Sequence, residues 1–271
     1  MAAIPVSARR PELRVRELRK QFPAPTGTLV AVESVSFTTA PGEFLAIVGP
    51  SGCGKSTLLQ MVAGLLLPTA GEVTLGAQPV TQQRFDVIYI FQQYTKSILP
   101  WCTVRENVQL GLEARGFGRQ EMLELCREYI HLVGLTSFGN YYPRQLSGGM
   151  QQRVAIARAL VCQPKVLLMD EPFSSVDAVT RVSLQELTLR LWDQLHPTVL
   201  FVTHDLDEAV YLAQRVLVLR KSPSVVLQEH SIDLPYPRHP LRTRELPQFL
   251  AHRHALFEAV FSQGELPELY H

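Results

Sequence analysis

At 271 residues and 46% hydrophobic content, the chain can bury one large core or two modest ones. Its 26 basic residues are balanced by 25 acidic ones, so there is no electrostatic case for nucleic acid or a broadly anionic surface as a partner. Four cysteines (Cys53, Cys102, Cys126, Cys162) lie scattered without C-x-x-C spacing; they indicate neither a zinc site nor a redox pair and read as reduced cytosolic thiols.

The opening Met1-Ala2-Ala3-Ile4-Pro5-Val6 lacks a charged start followed by an apolar core, so no secretory signal is expected there. No apolar run approaches the ~20 residues of a membrane span. Any work at a membrane would go through a partner. Residues 12–48 read as β structure: Leu13–Leu18 alternates, Leu29–Val32 follows a turn at Pro23–Gly27, and Val35–Thr38 alternates again. Phe22 precedes that turn. By position it is a core or edge aromatic, with stacking on a base as the alternative.

After the Pro41-Gly42 turn, the apolar run Phe44–Val48 leads into Gly49, Pro50, Ser51, Gly52, Cys53, Gly54, Lys55, Ser56 and Thr57, and then into the helix-like Leu58–Ala63. This is strand, glycine loop, helix. Such a loop wraps its backbone N–H groups and a positive helix end around one concave point, which suits the phosphates of a nucleotide. Lys55 would reach the β- and γ-phosphates and the Ser56 hydroxyl would ligate Mg²⁺. Cys53, inside the loop, is placed to be an oxidation-sensitive thiol.

Short strands at Glu72–Leu75 and Asp86–Ile90 follow a turn at Pro68–Gly71, and the second of them ends at Phe91-Gln92-Gln93. A Gln at a strand's carboxyl end in an open α/β sheet lies beside a nucleotide's phosphates and metal, although a lone Gln is more often a surface amide. From Tyr94 to Leu160 the pattern turns helical. Thr103–Glu106 is a capping box, Gln120–Val133 has helical apolar spacing, and Gly134 is a stop. The block reads as a helical subdomain inserted into an α/β core. Within it, Ser147-Gly148-Gly149 opens a second helix with Ser147 as N-cap and bare backbone donors behind it. Two phosphate-seeking helix starts in one chain make a dimer that shares nucleotides between copies an expectation.

Lys165–Asp170 is a buried strand closed by Asp170 and Glu171. Strand alternation would point the two carboxylates to opposite sides, so that Asp170 holds Mg²⁺ and Glu171 faces an attacking water as general base. An amphipathic run, Val182–Leu195, is followed by the strand Thr198–Thr203, which ends at His204; there the imidazole could meet a γ-phosphate. Gln92, Asp170-Glu171 and His204 thus all end strands that follow one glycine loop. Beyond Arg220, prolines 223, 235, 237 and 240 mark loops, Val225–Leu227 reads as an edge strand, and Pro247–Phe261 reads as a helix. Arg238, Arg242 and Arg244 read as a solvated basic face.

From Leu13 to about Arg220 these motifs resemble the ATP-binding subunits of ABC transporters, in that family's order: glycine loop Gly49–Thr57, Q-loop Gln92, signature Leu146–Gln151, Walker B strand Val166–Asp170 with Glu171, D-loop Ser175-Val176-Asp177, and switch His204. The D-loop departs from the usual Ser-Ala-Leu-Asp but retains Asp177. The resemblance implies an α/β fold with a P-loop (RecA-like) core, an N-terminal antiparallel β subdomain and an inserted α-helical subdomain. It divides the chain into an ATPase domain over 12–220, with the helical part at 93–160, and a C-terminal extension over 221–271. It also implies ATP and Mg²⁺ as cofactors, Phe22 stacked on adenine, and Ser56, Asp170 and Gln92 around the metal. Ser147, Gly148 and Gly149 would close on the γ-phosphate from the other copy of a homodimer, with Asp177 coupling the two sites.

Leu99–Val108 and the tail Ile232–Arg238 further resemble the nitrate, sulfonate and taurine importer group. That implies a peripheral protein on the cytoplasmic face of the membrane, bound to permease subunits near Gln93–Trp101 and served by a solute-binding protein. A soluble ABC-type ATPase is the alternative. A P-loop kinase would leave Leu146–Gln151 unexplained.

Overall fold

The structure is a computed structural model and describes residues 10–25, 27–93, 97–113, 115–221 and 223–261. The opening hexapeptide, with its expected lack of a signal, lies outside the described residues. The chain forms two compact units, Met1–Gln83 with Thr198–His271, and Arg84–Pro197.

In the first unit, β1 (Leu13–Ala24) and β2 (Gly27–Thr39) pair antiparallel, and β4 (Ala70–Leu75) adds antiparallel to β1, with the short β5 (Gln78–Pro79) beyond it. The two short runs expected over 29–38 are one continuous strand. Register shifts on β1 between Val15 and Gln21 absorb the irregularity, and Glu17 there takes φ +44° while its N–H donates to Ser36 Oγ at 2.7 Å. Val32, Val35 and Phe37 face the core.

β3 (Phe44–Val48) is wholly buried and runs parallel to both β8 (Thr198–Val202) and β9 (Arg215–Leu219). Strands buried on both faces read as unbroken apolar runs, which is why β3 and β8 were legible; β9 was not among the expected strands. β10 (Ser224–Ser231) pairs antiparallel with β9 and parallel with β2. The expected edge strand at Val225–Leu227 is therefore part of an interior strand, which pairs with β2 at Ser224 and Val225 and with β9 from Val226 on; its side chains there are half-buried or exposed. α1 (Lys55–Val62) follows β3, α6 (Leu206–Leu212) follows β8, and α7 (Pro247–Phe261) packs on α6 and β9.

Arg238 corrects a second expectation. It is only 7% exposed, and its guanidinium donates to the carbonyls of Val210, Tyr211, Ala213 and Leu234 while lying 4.0 Å from the Tyr236 ring centroid. The first three are carbonyls at the end of α6, which a helix leaves without internal partners, and the fourth lies four residues before Arg238 itself. Arg244 packs over the Tyr211 ring, and of the three arginines only Arg242 is exposed.

In the second unit, β6 (Val87–Ile90) runs parallel to β7 (Val166–Asp170). Around them are α2 (Val104–Glu113), α3 (Arg119–Leu132), α4 (Gly148–Val161) and α5 (Ala178–Leu195). The Thr103–Glu106 capping box forms in both directions, and Gly134 at φ +74° ends the turn after α3. Gly111 lets α2 approach α4: a Cβ there would lie 2.7 Å from the Arg158 carbonyl. Asp86 anchors the start of β6 between Arg84 and Lys165, and the Arg84 bond holds its carboxyl below the usual range. No described helix is long and apolar enough to cross a membrane.

Candidate functional site

The glycine loop is shaped from below. Gly54 sits at φ +97°, and a Cβ there would meet the Ala31 carbonyl and Ser224 Oγ, both at 2.8 Å, so β2 and β10 press directly on the turn. The backbone of Gly54 caps α1 without a side-chain bond, and the first turn of α1 has no acidic residue. The cap residue thus offers these donors no side chain of its own, an entry of the kind that suits an anion. Lys55 is 6% exposed and curls back to donate to the carbonyls of Gly49 (2.8 Å) and Pro50 (3.0 Å), which holds the ammonium over the loop. Ser51, Gly52 and Ser56 are exposed, and Pro50 and Thr57 half-buried.

Cys53 is fully buried beneath this loop, and burial pushes its thiol up despite the nearby Lys55. Burial and a raised pKa both work against the thiolate that oxidation requires. Phe22 is half-exposed on β1 with the Lys20 ammonium 5.2 Å from its ring centroid.

His204 is exposed between β8 and α6, in a frame that its own sequence neighbourhood did not reveal. Thr203 Oγ1 donates to the buried Glu208 carboxylate at 2.7 Å and accepts from Asp205 N–H at 3.0 Å. Asp205 then caps α6 by accepting from Asp207 and Glu208 N–H. The backbone on both sides of the imidazole is therefore pinned. A Thr-x-Asp-x-x-Glu spacing is the signal that could have found this frame.

In the second unit the ends of β6 and β7 meet through side chains. Tyr89 Oη donates to Asp170 Oδ2 at 2.7 Å, and Gln92 Nε2 donates to Glu171 Oε2 at 3.0 Å. Asp170 is 5% exposed, whereas Glu171 is half-buried. The two carboxylates diverge, but not by strand alternation: β7 ends at Asp170 and Glu171 takes a left-handed φ of +43°. A turn directs the second carboxylate, and the Ser174 hydroxyl and N–H hold the Glu171 carbonyl there. For a non-glycine residue this conformation is strained, as residues at functional sites commonly are.

The second helix start is built differently from the first. Ser147 Oγ accepts from Met150 N–H at 3.3 Å, so α4 carries its own cap. Ser147 and Gly148 are exposed, but Gly149 is buried, and a Cβ on it would lie 2.3 Å from Thr180 Cγ2. Thr180 N–H in turn donates to Asp177, the cap of α5, at 2.9 Å. Gly149 therefore serves close packing of two helix starts as well as backbone exposure.

A model of the ABC transporter family matches residues 32–174. The chain belongs to the ABC transporter family. It is 47% identical over 237 residues to a putative ATP-binding protein of Brucella abortus biovar 1, covering 88% of this chain and 90% of that one. The nitrate import ATP-binding protein NrtD of Synechocystis sp. is 45% identical, with 82% and 83% covered. The aliphatic sulfonates import ATP-binding protein SsuB of Bacillus thuringiensis subsp. konkukian is 40% identical, with 87% and 94% covered. Among solved structures, the dimeric post-hydrolysis state of the ATP-binding cassette MJ0796 bound to ADP and Pi superposes with a TM-score of 0.72 at 32% identity, covering 82% of this chain and all of that one. The fold is that of the ABC cassette, and the chain is an ATP-binding ATPase.

Ser56 in the first unit, and Asp170 and Gln92 in the second, each carry a hard oxygen donor of the kind that Mg²⁺ takes, and among the described residues no group of three or more His, Cys, Asp or Glu could hold a metal ion.

Proposed function

We propose that this chain is the ATP-hydrolysing subunit of an importer for a small anion or organosulfur solute. What carries the hydrolytic part is the end of β7, where a buried carboxylate and a left-handed one stand in sequence, each bonded to a side chain from β6. In this reading, Gly49 to Thr57 wrap the phosphates and Lys55 offsets the charge that develops on the transferred group. Glu171 accepts the proton of the attacking water while the γ-phosphoryl leaves ADP. Ser56, Asp170 and Gln92 would hold Mg²⁺, which when bound would offset negative charge on the phosphates. His204 meets the γ-phosphate from its pinned loop, and Phe22 stacks on adenine.

Two copies form a homodimer in which Ser147, Gly148 and Gly149 of one close on the nucleotide of the other and Asp177 links the sites. Residues 12–220 are taken as the ATPase domain, with 93–160 as its helical part, and 221–271 as the extension. The pair works peripherally, on the cytoplasmic face of the membrane, beneath permease subunits that seat near Gln93–Trp101. Tyr94 to Lys96 of that stretch lie outside the described residues, while Trp101 is 71% exposed. A solute-binding protein delivers the cargo. Support for import comes from the NrtD and SsuB relatives, which this chain matches over most of their length.

Glu171→Gln is expected to bind ATP, accumulate as an ATP-stabilised dimer and lose nearly all turnover. Normal turnover would remove Glu171 as the base. Cells with Glu171→Gln as their only copy should lose uptake of one solute from a labelled panel of nitrate, sulfonates and taurine; undiminished uptake of all of them would remove these three as the cargo.

A further inference from the structure

We propose that Tyr89 is a positioning residue for the Mg²⁺ site, acting through Asp170; the inference rests on Asp170 being a metal ligand. In the parallel pairing, Tyr89 is opposite Leu168, so Tyr89, Leu168 and Asp170 share one face of the β6–β7 pair. Asp170 then lies two residues further along, about 6.6 Å at the usual strand rise, a span that a tyrosine side chain covers. The register thus delivers the phenol to the carboxylate, and the 2.7 Å bond to Oδ2 completes it.

Packing does not account for the hydroxyl. The Tyr89 ring is half-buried and lies against Phe91 with centroids 4.6 Å apart, a contact that a phenylalanine would make equally well. What the hydroxyl adds is orientation. Bonding one carboxylate oxygen fixes the plane of the group and hence the direction of the other oxygen, the arrangement by which outer partners tune metal ligands. Three residues on, the same strand exit sends Gln92 to Glu171, so β6 steers both carboxylates: one through a phenol, the other through an amide.

The test is equilibrium binding of labelled ATP to the full chain, first in EDTA and then across a Mg²⁺ titration, with thermal melts as the control for folding. Tyr89→Phe should leave ATP affinity in EDTA within about twofold and raise the Mg²⁺ midpoint about tenfold, the lower end of what losing an outer partner costs in metal affinity. In an Asp170→Asn background the same change should add nothing. If Tyr89→Phe loses folding, 4-fluorophenylalanine at position 89, which fills the place of the hydroxyl but has no proton to donate, should reproduce the shift. A folded Tyr89→Phe with an unchanged Mg²⁺ midpoint overturns the role of Tyr89 and leaves the ATPase reading intact. An unchanged midpoint in Asp170→Asn overturns both this inference and the metal site beneath it.

Discussion

Two helix starts in this chain are led by glycine and look alike in sequence, yet their entries are built differently. α1 has no side-chain cap and no acid in its first turn, and a buried lysine is folded over its entry. α4 is capped by Ser147, and its buried glycine makes room for Thr180 on the neighbouring α5. α5 and α6 follow the second pattern, with Asp177 and Asp205 as caps. At α4, α5 and α6 a cap side chain takes one or two of the first N–H groups; at α1 the cap residue is a glycine with no side chain to offer.

Lys55→Ala should affect this contrast most. It removes the ammonium held over the α1 entry, and ATP binding measured by calorimetry should weaken by about two orders of magnitude, typical of a charged partner left unpaired. Retained affinity would mean that the open helix start binds phosphate by backbone donors alone. Gly54→Ala comes next, because it combines a φ of +97° with two contacts at 2.8 Å. Denaturant melts should show about 2–4 kcal/mol of lost stability. Gly149→Ala meets only the methyl of Thr180, which can yield, so about 1–2 kcal/mol is expected, with ATP binding to the separate chain preserved. Restoration of stability by Thr180→Ser in that background would locate the clash. Ser147→Ala should cost about 1 kcal/mol, the usual worth of a cap.

The smallest effect is on pH. The bond from Thr180 holds the Asp177 carboxyl below its usual range, so its cap is fully present above the unfolded value of about 3.9 and is lost as pH falls through the lower folded value. The Thr180 amide resonance should titrate in that acid window. The α1 amides, which have no carboxylate cap, should not follow it.

The order of the motifs was legible because each is local. A phosphate loop needs glycines at fixed spacing, a strand buried on both faces needs an unbroken apolar run, and a capped helix start shows its Ser, Thr or Asp. Phe44–Val48, Val166–Asp170, the Thr103–Glu106 box and α7 all appear where the residues placed them. Where reasoning from residues failed, the deciding contact came from far along the chain. Arg238 looks like one member of a basic surface cluster until the end of α6 supplies three carbonyls, and Val225–Leu227 looks like an edge until β2 takes the start of the strand and β9 the rest.

The sequence by itself determined that this chain binds a nucleotide and which residue types stand at the strand ends, because glycine loops and buried strands are set by neighbours a few positions away. Only the tertiary structure decided how those residues are aimed. Glu171 is directed by a left-handed turn, His204 is framed by Thr203 and Glu208, and Asp170 is held by Tyr89 from a strand 81 residues earlier. Spacing encodes what a backbone does over one turn or strand. The direction of a carboxylate depends on donors that only folding brings alongside it.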